Sequence, residues 1–180
     1  GFETYQKILA EAMEELGVET GIITRNSNDN YIADCTIETD QLALIPDSYI
    51  DLTAEKIRIY KELDSISNEK DLEIMRGKLT DRFGKIPIEL ERLFDIVKIR
   101  QLGVKLGFEK IIIKNGVLIG FFILNPLSQY YKSERFSKVL ENISMYPQLY
   151  EIKQPDNKLR IVVRNVDSIS KAYNILKKLQ

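Results

Sequence analysis

Between residues 3 and 16, Tyr5, Ile8, Leu9, Ala12, Met13 and Leu16 recur at helical spacing, while Glu11, Glu14 and Glu15 fill other positions. This spacing predicts an acidic amphipathic helix that Gly17 is suited to end. The period is then lost. Residues 24–34, TRNSNDNYIAD, hold three Asn and two Asp with little apolar content, too little burial to offset the cost of ordering, so residues 18–34 are expected to form a flexible linker. A short alternation around Ile37, closed by Pro46, predicts an edge strand or extended segment.

Three helices are expected next. Thr53 can cap one carrying Ile57, Tyr60 and Leu63; Asn68 can cap a second carrying Leu72, Met75, Leu79 and Phe83, with Gly84 as its stop. Pro87 opens the longest, in which Leu90, Leu93, Phe94, Val97 and Val104 form a buried stripe before Gly107.

The period then changes from helix to strand. FEKIIIK and VLIGFFIL flank Asn115-Gly116, a pair that tolerates positive φ and so predicts a tight hairpin. A helix with Phe136, Val139, Leu140 and Ile143 follows, then a second hairpin, LYEIK and LRIVVR around Pro155-Asp156-Asn157. Asp167 can cap a final helix with Ile169, Ala172, Tyr173 and Leu176 inward, and Lys177 and Lys178 suit its C-terminal end. The fold class expected is α/β of the α+β type: a helical N-terminal half and a small, mostly antiparallel sheet of two hairpins packed by helices.

Composition narrows what such a domain can do. With 180 residues, 44% of them hydrophobic, one real core is affordable. Twenty-six Lys and Arg against 27 Asp and Glu leave a net charge of -1, so no overall field draws the chain to nucleic acid or an anionic membrane. No apolar stretch approaches the roughly 20 residues of a membrane span, and the lone Cys35 fits a reducing compartment as a small strand residue. A soluble, cytoplasmic protein is expected, monomeric as an isolated fragment. The sequence has no histidine, which removes the usual general base, the usual transition-metal ligand and the third member of most nucleophilic triads.

Candidate chemistry is correspondingly sparse. Neither a GxxxxGK[ST] loop nor a GxGxxG turn occurs, so nothing here cradles phosphates. Glu91 and Asp95, four apart on one helix with Arg92 and Lys98 nearby, read as a charge-balanced solvated face rather than a carboxylate pair. Adjacent Phe121 and Phe122, with Lys110 and Lys114 on the partner strand, raise a base-stacking alternative, a nucleic-acid-binding module. Successive strand residues face opposite sides, and a helix-covered central strand needs large apolar residues anyway, so core packing is the preferred reading. Gly103 and Gly107 mark close packing and a helix end. No catalytic, cofactor or metal site is assigned.

Four blocks carry a resemblance: IPDSYI at 45–50, RIYKEL at 58–63, LTDRFGKIP at 79–87 and VKIRQLGVKLGFEKI at 97–111. In order and spacing they resemble the C-terminal domain of the bacterial transcription-repair coupling factor family (Mfd). The opening GFETYQKILAEAMEEL resembles the helix that ends that family's DNA-translocase motor. The resemblance implies residues 1–17 as the motor's last helix, 18–34 as linker and 35–180 as the C-terminal domain.

It also implies a function without catalysis. Family members use ATP to push stalled RNA polymerase off damaged DNA and recruit UvrA for nucleotide excision repair, and their C-terminal domain is an autoinhibitory clamp. It packs on the N-terminal UvrB-like module of the same chain and covers the surface UvrA would use. Acidic residues on the helix ending in DRFG make the contact; Asp81 matches one of them, with Arg82 beside it. Where a glutamate is common one turn earlier, this sequence has Lys78, a reversal of sign that weakens or relocates the contact. The interdomain residues implied are thus Asp81, Lys78 and Arg82, whereas Arg58 and Tyr60 are expected to tie helices together.

Overall fold

The computed structural model describes the backbone of residues 3–4 and residues 30–180. Helix α1 spans Thr53–Ser65, α2 Glu69–Phe83, α3 Ile88–Leu106, α4 Glu134–Met145 and α5 Ile169–Lys177. The strands are β1 Glu3–Thr4, β2 Thr36–Thr39, β3 Phe108–Lys114, β4 Val117–Phe122, β5 Glu151–Lys153 and β6 Arg160–Arg164. They form one sheet in the order β1-β2-β3-β4-β6-β5, in which β2 and β3 pair in parallel and every other neighbour is antiparallel. A parallel pair needs a long crossover, and α1, α2 and α3 supply it.

Local chemistry sets the element ends. Asn68 accepts a hydrogen bond from the Asp71 amide at 2.9 Å, capping α2, and Gly84 ends that helix at φ 89°. Helix α3 starts after Pro87 and stops at Gly107, which sits in the left-handed region at φ 96°. The β3–β4 turn is built from Asn115 at φ 53° and Gly116 at φ 73°, the mirror-image turn that matches strand twist.

Some expected ends shift by one residue. Thr53 lies inside α1; the position before it is Leu52, which makes no side-chain cap. In α5 the cap is Ser168, which accepts from the Lys171 amide, rather than Asp167. The inward side of α1 is Ile59, Tyr60 and Leu63, with Ile57 only half-buried. The helix expected over 3–16 meets a strand at Glu3–Thr4; the rest of it, and most of the 18–34 linker, lies outside the described residues. The end of that linker is held down: Arg100 binds Asp34 at 2.7 Å and the Tyr31 ring meets Tyr130 edge-on.

Helix α3 is the centre of the core. Leu90, Leu93, Phe94, Ile96, Val97, Ile99, Leu102 and Leu106 are all buried on it, so it is apolar nearly all round, as a helix sandwiched between layers must be. Its Gly103 lets it approach the sheet: a Cβ there would stand 2.6 Å from Cys35 Sγ and 3.1 Å from Ile111. At its end, Gly107 leaves room for the Tyr130 ring, whose hydroxyl donates to the Leu106 carbonyl. Tyr130 stacks with Phe122, Phe136 and Tyr131 in one aromatic cluster.

All these contacts fall on one face of the sheet, the face of Ile37, Ile111, Ile113, Leu118, Phe122, Ile161 and Val163. No described helix packs on the other face. Phe122 points into the core, 4.5 Å from Phe108, while Phe121 is half-buried on the opposite face, under the Arg160 guanidinium. The expected core packing thus holds for Phe122, and the crossover and both later helices lie on its side of the sheet.

Candidate protein-interaction face

Three of the four sequence blocks converge at one end of the helical layer. The Ile45 amide donates to the Tyr60 hydroxyl at 2.9 Å, joining the turn 45–50 to α1. From the same turn, the Tyr49 hydroxyl reaches the carbonyl oxygens of Gly84 and Leu79 at 2.7 and 3.1 Å, fixing the C-terminal end of α2. The Tyr49 ring also packs on Phe83. The turn thus holds the end of α2, where the Gly84 carbonyl lies past the last helical hydrogen bond and is otherwise left unsatisfied by the helix.

The inward side of α2 is Leu72, Met75 and Leu79. Helical geometry then turns residues 74, 77, 78 and 81 outward as one strip. Ile74 is 48% exposed on that strip, and a Cβ at Gly77 would meet nothing within 4 Å. Lys78 and Asp81 are exposed beside them, and among the described residues neither side chain makes a hydrogen bond or ion pair. No described element packs across this strip.

Its border is an ion network. Glu55 of α1 holds Arg58 at 3.0 Å and Arg82 of α2 at 2.8 Å, and Arg58 also reaches Glu62 at 3.4 Å. The hydrogen bonds from Arg58 and Arg82 hold the Glu55 carboxyl below its ordinary pKa. Arg82 also lies over the Phe83 ring at 5.0 Å. Of the three residues singled out in the sequence, Asp81 and Lys78 thus share the open strip, while Arg82 is drawn aside to α1. Arg58 and Tyr60 are tied within the helical layer.

Ile74 and Gly77 were not singled out in the sequence as members of this outward strip. The available signal was their phase, since Ile74 falls outside the 72, 75, 79 stripe and an apolar residue off-stripe is a surface residue with a cost.

The other candidates resolve separately. Glu91 accepts from Arg76, and Asp95 pairs with Lys98 at 3.2 Å, so each carboxylate has its own cation. Burial raises the Asp95 pKa despite Lys98. Cys35 is fully buried, which pushes its thiol pKa far up and away from reactivity. Among the described residues there is no cluster of metal-ligating side chains, and no helix is long and apolar enough to cross a membrane.

Comparison with known proteins agrees with the blocks. The family model described as the TRCF domain matches residues 39–133. The transcription-repair-coupling factor of Rickettsia typhi is 34% identical over 179 residues, 98% of this chain and 15% of that protein. The Escherichia coli protein of the same name is 31% identical over 113 residues, 62% of this chain and 9% of that protein. A crystal structure of the C-terminal domain of transcription-repair coupling factor superposes with a TM-score of 0.66 at 20% identity, covering 81% of this chain and 92% of that one. The chain therefore spans a small part of the length of its relatives and carries the fold of their C-terminal domain; it belongs to the transcription-repair-coupling factor family.

Proposed function

We propose that this domain is a non-catalytic, autoinhibitory clamp that packs on the N-terminal UvrB-like module of its parent and masks the surface that UvrA binds. The observation that carries the reading is the outward strip of α2, where exposed Ile74 and open Gly77 stand among Lys78 and Asp81. An apolar residue beside a bare stretch of backbone, bounded by charge, suits a modest and reversible interface. Asp81 offers a carboxylate to a basic group on the module, and Lys78 asks for an acidic one beside it.

Modest affinity suffices for a tethered domain. A partner on the same chain is met at an effective concentration near ~1 mM, so even weak contacts hold the clamp mostly shut. Opening when the parent engages RNA polymerase and DNA, with its ATP-driven translocase running, then exposes the UvrA surface. The setting is cytoplasmic nucleotide excision repair.

The test is competition. Adding this chain in excess to the separate N-terminal module and UvrA is expected to reduce the UvrA captured. Unchanged capture at saturating domain would contradict masking.

A further inference from the structure

A cleft of about 470 Å³ lies where the C-terminal end of α3, one face of α4 and the residues after α5 meet. Its floor is apolar, made of Leu106, Val139 and Leu179, all buried. Around the floor stand Lys105 of α3 and Arg135 and Lys138 of α4. Residues 135, 138 and 139 fall at i, i+3 and i+4, so a single face of α4 supplies two cations and part of the floor. Near the next turn, buried Asn142 donates to the carbonyl oxygens of Leu179 and Gln180 at 3.1 Å each, which fixes the third wall.

Charge in this cleft departs from that of the whole chain, whose net charge is -1. The described residues that line it include three cations and no carboxylate side chain. Among the described residues, neither Lys105 nor Arg135 makes an ion pair. Arg135 is held by neutral groups: it donates to Asn30 Oδ1 at 3.2 Å and lies 5.7 Å from the centre of the Tyr31 ring. Lys138 reaches Glu141 at 3.9 Å, with the two side chains 59% and 65% exposed, a pairing that offsets little charge. Glu69, which feels the charge of Lys105, also feels Lys98 and Lys177 and accepts a hydrogen bond from Tyr173. Arg135 lies in the first turn of α4, the end at which a helix disfavours a cation, so helix stability does not account for it there.

Size and chemistry select the ligand. Binding pockets run from about 300 to 1,000 Å³, so a cleft of this volume admits a few side chains and not a whole helix. An apolar floor under a cationic rim suits a segment that buries one apolar anchor and spreads carboxylates around it. The Arg135 fork and the two lysine ammoniums would each meet one of those carboxylates. A single-stranded nucleic acid would need rings to stack on. The floor is aliphatic, and the nearby Tyr31 ring is already engaged by Arg135 and Tyr130.

We propose that this cleft binds a short acidic segment of a partner protein, with one apolar side chain on Leu106, Val139 and Leu179 and carboxylates on Lys105, Arg135 and Lys138. The site shares no residue with the α2 strip and does not rest on the clamp reading.

The test uses the full 180-residue chain and four fluorescent probes read by anisotropy. They are a peptide with a central leucine flanked by glutamates, the same peptide with glutamines for glutamates, the same with glycine for leucine, and an oligo-dT strand. Salt-sensitive binding of the first peptide is expected, with marked weakening when either the glutamates or the leucine are replaced. Lys105 and Lys138 are exposed, so the double variant Lys105→Glu, Lys138→Glu is expected to keep its circular dichroism and to lose affinity on the order of tenfold or more. Should its circular dichroism change, the two glutamine substitutions serve instead, with a smaller loss in the same direction. Absence of binding at millimolar chain, equal binding by the variant, or equal binding of the glutamine peptide overturns the proposal. Undiminished binding of the glycine peptide overturns it as well, since the floor would then hold nothing. Stronger binding of oligo-dT overturns it in favour of a nucleic-acid site.

Discussion

The Tyr49 hydroxyl stands 2.7 Å from the Gly84 carbonyl oxygen and 3.1 Å from that of Leu79, bridging the turn before α1 to the end of α2. Burial raises the Tyr49 pKa, so the hydroxyl stays a donor at neutral pH. Tyr49→Phe removes the donor and leaves the ring on Phe83. It is expected to cost about 0.5–1.5 kcal/mol in urea denaturation, the usual net worth of such a bond. Because the helix end it fixes carries Asp81, faster amide exchange should be confined to residues near 80–84.

Gly77 is a helix-interior glycine whose missing Cβ faces open space. In the isolated domain Gly77→Ala is expected to raise stability by about 0.5–1 kcal/mol, since glycine is a poor helix former. Under the clamp reading the same methyl obstructs close approach, so the variant should bind the N-terminal module more weakly while melting higher. A variant that melts higher and binds equally well would move the contact off this strip.

Gly107 is the opposite case. It has φ 96°, and a Cβ there would overlap the Tyr130 ring. Gly107→Ala is expected to destabilise the domain by roughly 2–4 kcal/mol through overpacking and backbone strain together, a loss visible as a lower denaturation midpoint and an altered tyrosine near-ultraviolet signal.

Helices were largely legible because their caps and stripes are local: Asn68, Gly84, Pro87 and Gly107 each act within a turn of the helix they bound. The Asn115-Gly116 hairpin was legible for the same reason. The parallel pairing of β2 with β3 was not, since it depends on where three intervening helices deposit the chain and no local residue encodes that. Nor was which of Phe121 and Phe122 is the fully buried ring. Alternation says they face opposite ways, and the side on which α1 to α5 lie decides which one enters the core. The resemblance blocks pointed to Asp81, Lys78 and Arg82; that Arg82 turns toward Glu55 is a tertiary fact, set by the spacing of α1 from α2.

Acid should act through Glu38. Burial raises the pKa of its carboxyl, but the hydrogen bonds and charges of Lys110 and Lys114 outweigh it and bring the pKa below its ordinary 4.5. A depressed carboxylate pKa means that the unfolded chain binds the proton more readily, so the stabilisation is present above pH 4.5 and is lost as pH falls through the folded value. Glu38→Gln is expected to flatten the decline of denaturation midpoint below that pH and to leave β2–β3 pairing intact. An unchanged slope would assign acid sensitivity to other carboxylates.

The most direct measurement is titration calorimetry of the separate UvrB-like N-terminal module with this chain, compared with its Asp81→Arg variant. Masking by the outward strip of α2 requires measurable, reversible binding by the native chain and a several-fold or greater loss in the variant, with circular dichroism unchanged. Equal binding by both, or no heat from either at millimolar concentration, would contradict it.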